Sequence, residues 1–172
     1  MTPASVEVPA PADQGRILIR SGSLDLRAKD LEATKTRIER ITADLGGRVQ
    51  DWSLRDGKWL DMTLRVPAKS LDEAMDRLAT LGRVTGRSLR ARDVTEALID
   101  LEARLRNLKA LRDRLRSYLD KASNLEEILK VERELARVQS EIESLEARLK
   151  ILRDQVAMSE LDVRVKKGRG SS

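Results

Sequence analysis

Four arginines, Arg83, Arg87, Arg90 and Arg92, fall in one stretch that holds no carboxylate until Asp93. A guanidinium is a planar fork of donors that matches carboxylate and phosphate oxygens, so this run suits contact with an acidic surface, an anionic lipid or a nucleic acid. On the rim of a sheet the same charges also block edge-to-edge pairing. A second candidate is apolar. Trp52, Leu54 and Trp59 surround a turn, and two indoles on one exposed face would make a partner surface. Catalytic chemistry lacks its usual parts: the chain has no Cys and no His. That removes the thiol nucleophile, the imidazole base, the disulfide and the common zinc ligands. The carboxylates stand where helix caps and ion pairs need them. No catalytic, cofactor-binding or metal-ligating residue is expected, and the protein reads as non-enzymatic.

The elements that must position these residues form an α+β head. Ile17 and Ile19 alternate in one phase and Leu24, Leu26 and Ala28 in the other, which predicts one strand with a bulge at Gly22. Asp30 then caps a helix built on Leu31, Thr34, Ile38, Ile41 and Leu45, closed by Gly46 and Gly47. Two strands, residues 49–55 and 58–66, meet at an Asp56-Gly57 turn of type I′. The register expected from that turn pairs Val49 with Leu64, Asp51 with Met62 and Ser53 with Leu60, leaving Trp52, Leu54 and Trp59 together on the other face. Ser70 and Glu73 form a capping box for a helix carrying Leu71, Ala74, Met75, Leu78 and Leu81. The arginine run is the next strand. This order is the ferredoxin-like βαββαβ pattern, with residues 16–93 as the head. A last strand, with Leu161, Val163 and Val165 alternating, returns the chain to the head at residues 158–166.

Between these parts, residues 94–157 read as a long antiparallel coiled-coil hairpin inserted before the final strand. The first helix carries Val94, Leu98, Leu101, Leu105, Leu108, Arg112, Leu115 and Leu119. The second carries Ile128, Val131, Leu135, Val138, Ile142, Leu145, Leu149, Leu152 and Val156. Both keep the three-four spacing of an a/d seam. One register pairs every layer, from Leu119 with Ile128 to Leu98 with Leu149. Arg112, opposite Leu135, is the one cation in the seam and is expected to snorkel outward. Asn124 caps the return helix. Pairs four apart on one helix, Asp100 with Arg104, Glu102 with Arg106, Glu126 with Lys130 and Glu146 with Lys150, are expected to solvate the outer faces.

Charge decides between partners. The chain carries a net +5, yet the hairpin holds equal numbers of acids and bases, so the excess lies in the head and tail. A nucleic-acid arm would need a basic hairpin and stacking aromatics, and the only aromatics are Trp52, Trp59 and Tyr118. Nucleic acid is therefore disfavoured. Residues 1–15 read as a flexible Pro- and Ala-rich linker and residues 167–172 as a flexible basic tail. No apolar run reaches the ~20 residues that span a bilayer.

The stretches VTEALIDLEARLRNL (94–108) and VERELARVQSEIESLEARLKILRDQVAMSELDVRV (131–165), together with RSGSLDLRAKDLEAT and MTLRVPAKSLDEAMDRLATLGRVTGRSL, carry a resemblance. Over about residues 16–165 the chain resembles the domain of unknown function 4349 family of bacterial envelope lipoproteins. That resemblance implies an exported protein in the cell envelope, periplasmic or extracytoplasmic, joined to the membrane by segments absent from this chain. It carries over no catalytic residues. The expected role is a protein-interaction or structural module working through the hairpin on an unidentified protein partner or a second copy. The alternative is a nucleic-acid or acidic-ligand module using the strand at residues 83–92.

Overall fold

A computed structural model describes residues 15–168. The expected linker at 1–15 and tail at 167–172 lie outside the described residues, apart from Gly15, Lys167 and Gly168. Nine elements follow in order: β1 (Leu18–Ala28), α1 (Leu31–Asp44), β2 (Arg48–Arg55), β3 (Trp59–Pro67), α2 (Leu71–Leu78), β4 (Arg83–Asp93), α3 (Thr95–Lys121), α4 (Leu125–Ala157) and β5 (Met158–Lys167). The described residues form a mixed α+β fold with one five-stranded sheet and four helices. It divides into two compact units, Met1–Asp93 with Asp154–Ser172, and Val94–Arg153.

The first unit is built on alternation. Leu24, Leu26 and Ala28 of β1, Leu60, Met62, Leu64 and Val66 of β3, and Leu161, Val163 and Val165 of β5 all point to one face and are buried. Leu31 and Ile38 of α1 and Leu71, Ala74, Met75 and Leu78 of α2 close over them. Each of these apolar side chains contributes about 1.5–3 kcal/mol when fully withdrawn from water. Asp30 caps α1 as expected, its carboxylate accepting from Ala33 N at 3.1 Å. Ser70 makes no such bond; a 3-10 turn, Ala68–Ser70, leads into α2 instead.

The sheet order is β2-β3-β5-β1-β4. This differs from the ferredoxin-like order expected for the head, because the last strand, whose place in the sheet the sequence left open, is inserted in the middle. β5 stands between β1 and β3, parallel to β1 and antiparallel to β3. The physical reason lies in its composition: Leu161, Val163 and Val165 fill the middle of the core face, which an edge strand would leave half exposed.

The expected bulge at Gly22 is also absent. β1 runs straight there, and Ile17 and Ile19 simply face the other way. Gly22 sits on the core face because Met75 occupies the space: a Cβ would stand 2.8 Å from the Met75 sulfur. The irregularity of β1 falls at Asp25 and Leu26 instead, where pairing with β4 skips Thr85.

Candidate interaction surfaces

The second unit carries the residues expected to form a seam. Leu98, Val131, Val138, Ile142, Leu145 and Leu149 are buried, and Leu101, Leu105, Leu108, Arg112, Leu115, Leu119, Ile128, Leu135 and Leu152 are half-buried. Between them Arg106, Asn107, Ala110, Arg133, Arg137, Glu141 and Arg148 are exposed, so one stripe of each helix is covered and the rest meets water. Residues 122–124 link the helices, and Asn124 Oδ1 accepts from Glu127 N at 2.8 Å. Two ion pairs cross between the helices: Glu102 with Arg153 at 2.6 Å and Lys109 with Glu146 at 3.2 Å. One heptad forward along α3 is one heptad back along α4, the mark of antiparallel helices. Both pairs are offset by about nine residues from the register read from the seam, which sets Glu102 level with Ser144 and Lys109 level with Arg137.

None of the four same-helix pairs expected from the sequence closes among the described residues. Glu102 and Glu146 reach across to the other helix instead. Arg112 is half-buried, with its Nε donating to Asp113 at 3.2 Å, so its head leaves the seam while its stem stays beside it. On α4, Arg137 bonds both Glu134 and Glu141. The hydrogen bond and charge of Arg137 hold the Glu134 carboxyl below its ordinary value, and Glu134 raises Arg137 in turn.

In the first unit the expected Trp52, Leu54 and Trp59 patch does not form. Trp52 pairs with Met62 and Leu54 with Leu60, while Arg55 pairs with Trp59. Because Met62 and Leu60 face α1 and α2, Trp52 and Leu54 do too, and Trp59 points to the opposite face. Pairing starts as expected at Val49 with Leu64, then slips by one at Gln50. At the turn Asp56 and Gly57 both take positive φ, and Lys58 is left outside the ladder. A one-residue slip moves every following side chain across the sheet, here placing Leu54 and Trp52 beside apolar neighbours and Asp51 and Ser53 towards water. Trp52 receives the Lys35 ammonium of α1 at 4.1 Å from its ring centre.

The arginine run is divided in the same manner. Arg87 pairs with Leu24, so it faces α2, where its Nη2 donates to Asp76 at 2.7 Å. Arg83, Arg90 and Arg92 pair with Arg27, Ser21 and Ile19 and lie on the opposite face. The four therefore make no single surface.

The family model Domain of unknown function (DUF4349) matches residues 16–171. The chain belongs to the DUF4349 family. Among curated proteins and among solved structures nothing matches this DUF4349 chain.

The surface that sequence reasoning missed on this DUF4349 member lies near residues 122–124, between α3 and α4. Tyr118, Leu125 and Leu129 are large apolar groups outside the seam, and Leu125 is 69% exposed. Their signal was available: Leu125 and Leu129 are four apart on α4 but off the a/d positions. Tyr118 also borders a shallow hollow with Leu115, Lys130 and Glu134. Among the described residues no helix is long and apolar enough to cross a membrane, and no group of three or more Asp or Glu is placed to hold a metal ion.

Proposed function

We propose that this DUF4349 member is a non-enzymatic interaction module of the bacterial cell envelope, working through an antiparallel coiled-coil hairpin whose closed end meets a protein partner. The single observation that carries the reading is the placement of Tyr118, Leu125 and Leu129. The apolar seam is covered by the hairpin itself, and the crossing ion pairs join its two helices. These three groups near residues 122–124 remain exposed. The carboxylates of the head support a non-enzymatic reading, since Asp30 caps α1 and Asp25, Asp61, Asp72 and Asp76 are each held by an arginine. The head itself is a ferredoxin-like plan with one strand added, because removing β5 leaves β2-β3-β1-β4. The envelope assignment rests on the family resemblance.

A photo-crosslinking side chain at Ser123 in the full envelope-borne protein tests this. Capture of one dominant protein is expected, and its loss in Leu125→Ser/Leu129→Ser with an unchanged melting temperature. Capture of bulk protein only, or capture indifferent to that double variant, would refute it. Recovery of the protein in a cytosolic fraction would refute the envelope assignment.

A further inference from the structure

On the sheet face turned away from α1 and α2, one row of paired positions crosses all five strands. Arg83 of β4 pairs with Arg27 of β1, Arg27 with Lys166 of β5, Lys166 with Trp59 of β3, and Trp59 with Arg55 of β2. At the spacing of neighbouring strands the row is about 19 Å long. Four of its five side chains are cations and the fifth is an indole.

Like charges directly opposite one another on a sheet cost stability, so a fold left to itself would intersperse acids. The adjacent row does so: Asp25 accepts from Arg164 at 3.0 Å, and Asp61 accepts from Arg55 at 3.2 Å, drawing Arg55 towards that row. Arg27, Arg83 and Lys166 have no carboxylate partner among the described residues. Lys166 instead sits 4.9 Å from the ring centre of Trp59, with Arg55 at 5.7 Å. The strands end here, where Lys167 N donates to Lys58 O at 2.8 Å and ties the end of β5 to the turn between β2 and β3. Arg27, Trp59, Thr85 and Lys166 border a shallow depression of about 360 Å³.

We propose that this row is a docking edge for an anionic lipid surface, with Arg27, Arg83 and Lys166 meeting headgroup phosphates and Trp59 seated at headgroup level. The charges are strung along a line at the strand ends, and the depression beside them is open and shared with Asp25, which suits a plane of phosphates better than one small anion. Trp is well placed at a membrane interface. Each cation near such a surface contributes about a fivefold gain in partitioning. The proposal is independent of the hairpin.

The test uses the full chain with Trp52→Phe, so that Trp59 is the sole indole. It is titrated at low salt with vesicles of phosphatidylcholine containing phosphatidylglycerol, and with phosphatidylcholine alone. Binding to the anionic vesicles with a blue shift of Trp59 is expected, fading as salt rises. Arg27→Gln/Arg83→Gln/Lys166→Gln should weaken partitioning about a hundredfold. Arg48→Gln/Arg90→Gln/Arg92→Gln, which removes the same charge from other rows of that face, should leave it within a few-fold. Equal loss in both triple variants would assign binding to net charge and overturn the proposal. So would binding without a Trp59 shift, equal binding to the neutral vesicles, or a preference for an oligonucleotide or inorganic polyphosphate over vesicles. The row variant should melt no lower than its parent, since opposed like charges are removed; a lower melting temperature would make the row a structural device and overturn the proposal too.

Discussion

Arg112→Leu is expected to stabilise the hairpin. The Arg112 side chain is 21% exposed, so a leucine there would be about four-fifths covered, facing Leu135 in the proposed register. Full burial of a leucine is worth about 1.5–3 kcal/mol, and part of that is already supplied by the arginine stem. Against it stands the Asp113 ion pair, whose carboxylate is 65% exposed and whose loss costs about 0.2–1 kcal/mol. The balance is a gain of about 1 kcal/mol, or roughly 2–4 °C in melting temperature for a chain of this size. Far-UV circular dichroism during heating reads it directly, because α3 and α4 supply most of the helix. Arg112→Ala serves as the control, removing the ion pair without refilling the layer. A leucine variant that melts below the parent, or no higher than the alanine variant, would refute the register that puts residue 112 in the seam.

Four other outcomes follow from the same geometry. Glu102→Arg should cost up to about 1 kcal/mol, and adding Arg153→Glu should restore most of it, with the coupling read from a double-mutant cycle by urea denaturation. Gly22→Val should destabilise the head by about 1–3 kcal/mol through collision with Met75, and Met75→Ala in the same chain should recover part of that loss. Deleting β5 should abolish cooperative unfolding of the head, since no neighbour can take its place between β1 and β3; a sharp transition in the truncated chain would count against the sheet order. The Glu134 carboxyl should titrate below 4.5 by NMR. A lowered folded-state value means that its small stabilising effect is present above the unfolded value and lost as pH falls through the folded one, so Glu134→Gln should soften the acid side of the stability curve.

Much of the fold was legible because it depends on local signals. Asp30 and Asn124 cap their helices as their positions suggest, and every a/d residue read from the heptads is at least half-buried. What was not legible depends on non-local geometry. The Asp56-Gly57 turn was read correctly in its positive φ values, but nothing local reveals that Lys58 and Gln50 would each drop out of the ladder. That slip moved Trp52 and Leu54 away from Trp59. The skip at Thr85 did the same to the arginines, leaving Arg87 alone on the helix side. The place of β5 was equally hidden, because alternation shows that a strand exists and not which neighbours it takes. The charges of the hairpin were counted correctly and paired wrongly, since sequence spacing favours partners on one helix while the other helix offered others.

The position of β5 also fixes how the head would respond to mechanical load. β1 and β5 are adjacent and parallel, paired from Ser21 with Glu160 to Ala28 with Lys167. A pull applied at the start of β1 and the end of β5 slides the two strands along one another, so their ladder bonds resist together and do not open one at a time. Optical-tweezer loading between residues 16 and 168 should therefore meet a higher rupture force than loading between residues 55 and 168, which stand at the same end of the sheet, so that edge strand β2 peels away first. A lower force in the first geometry would exclude the ladder as the resisting element. A strand made last and placed centrally thus turns the head into a clasp under tension.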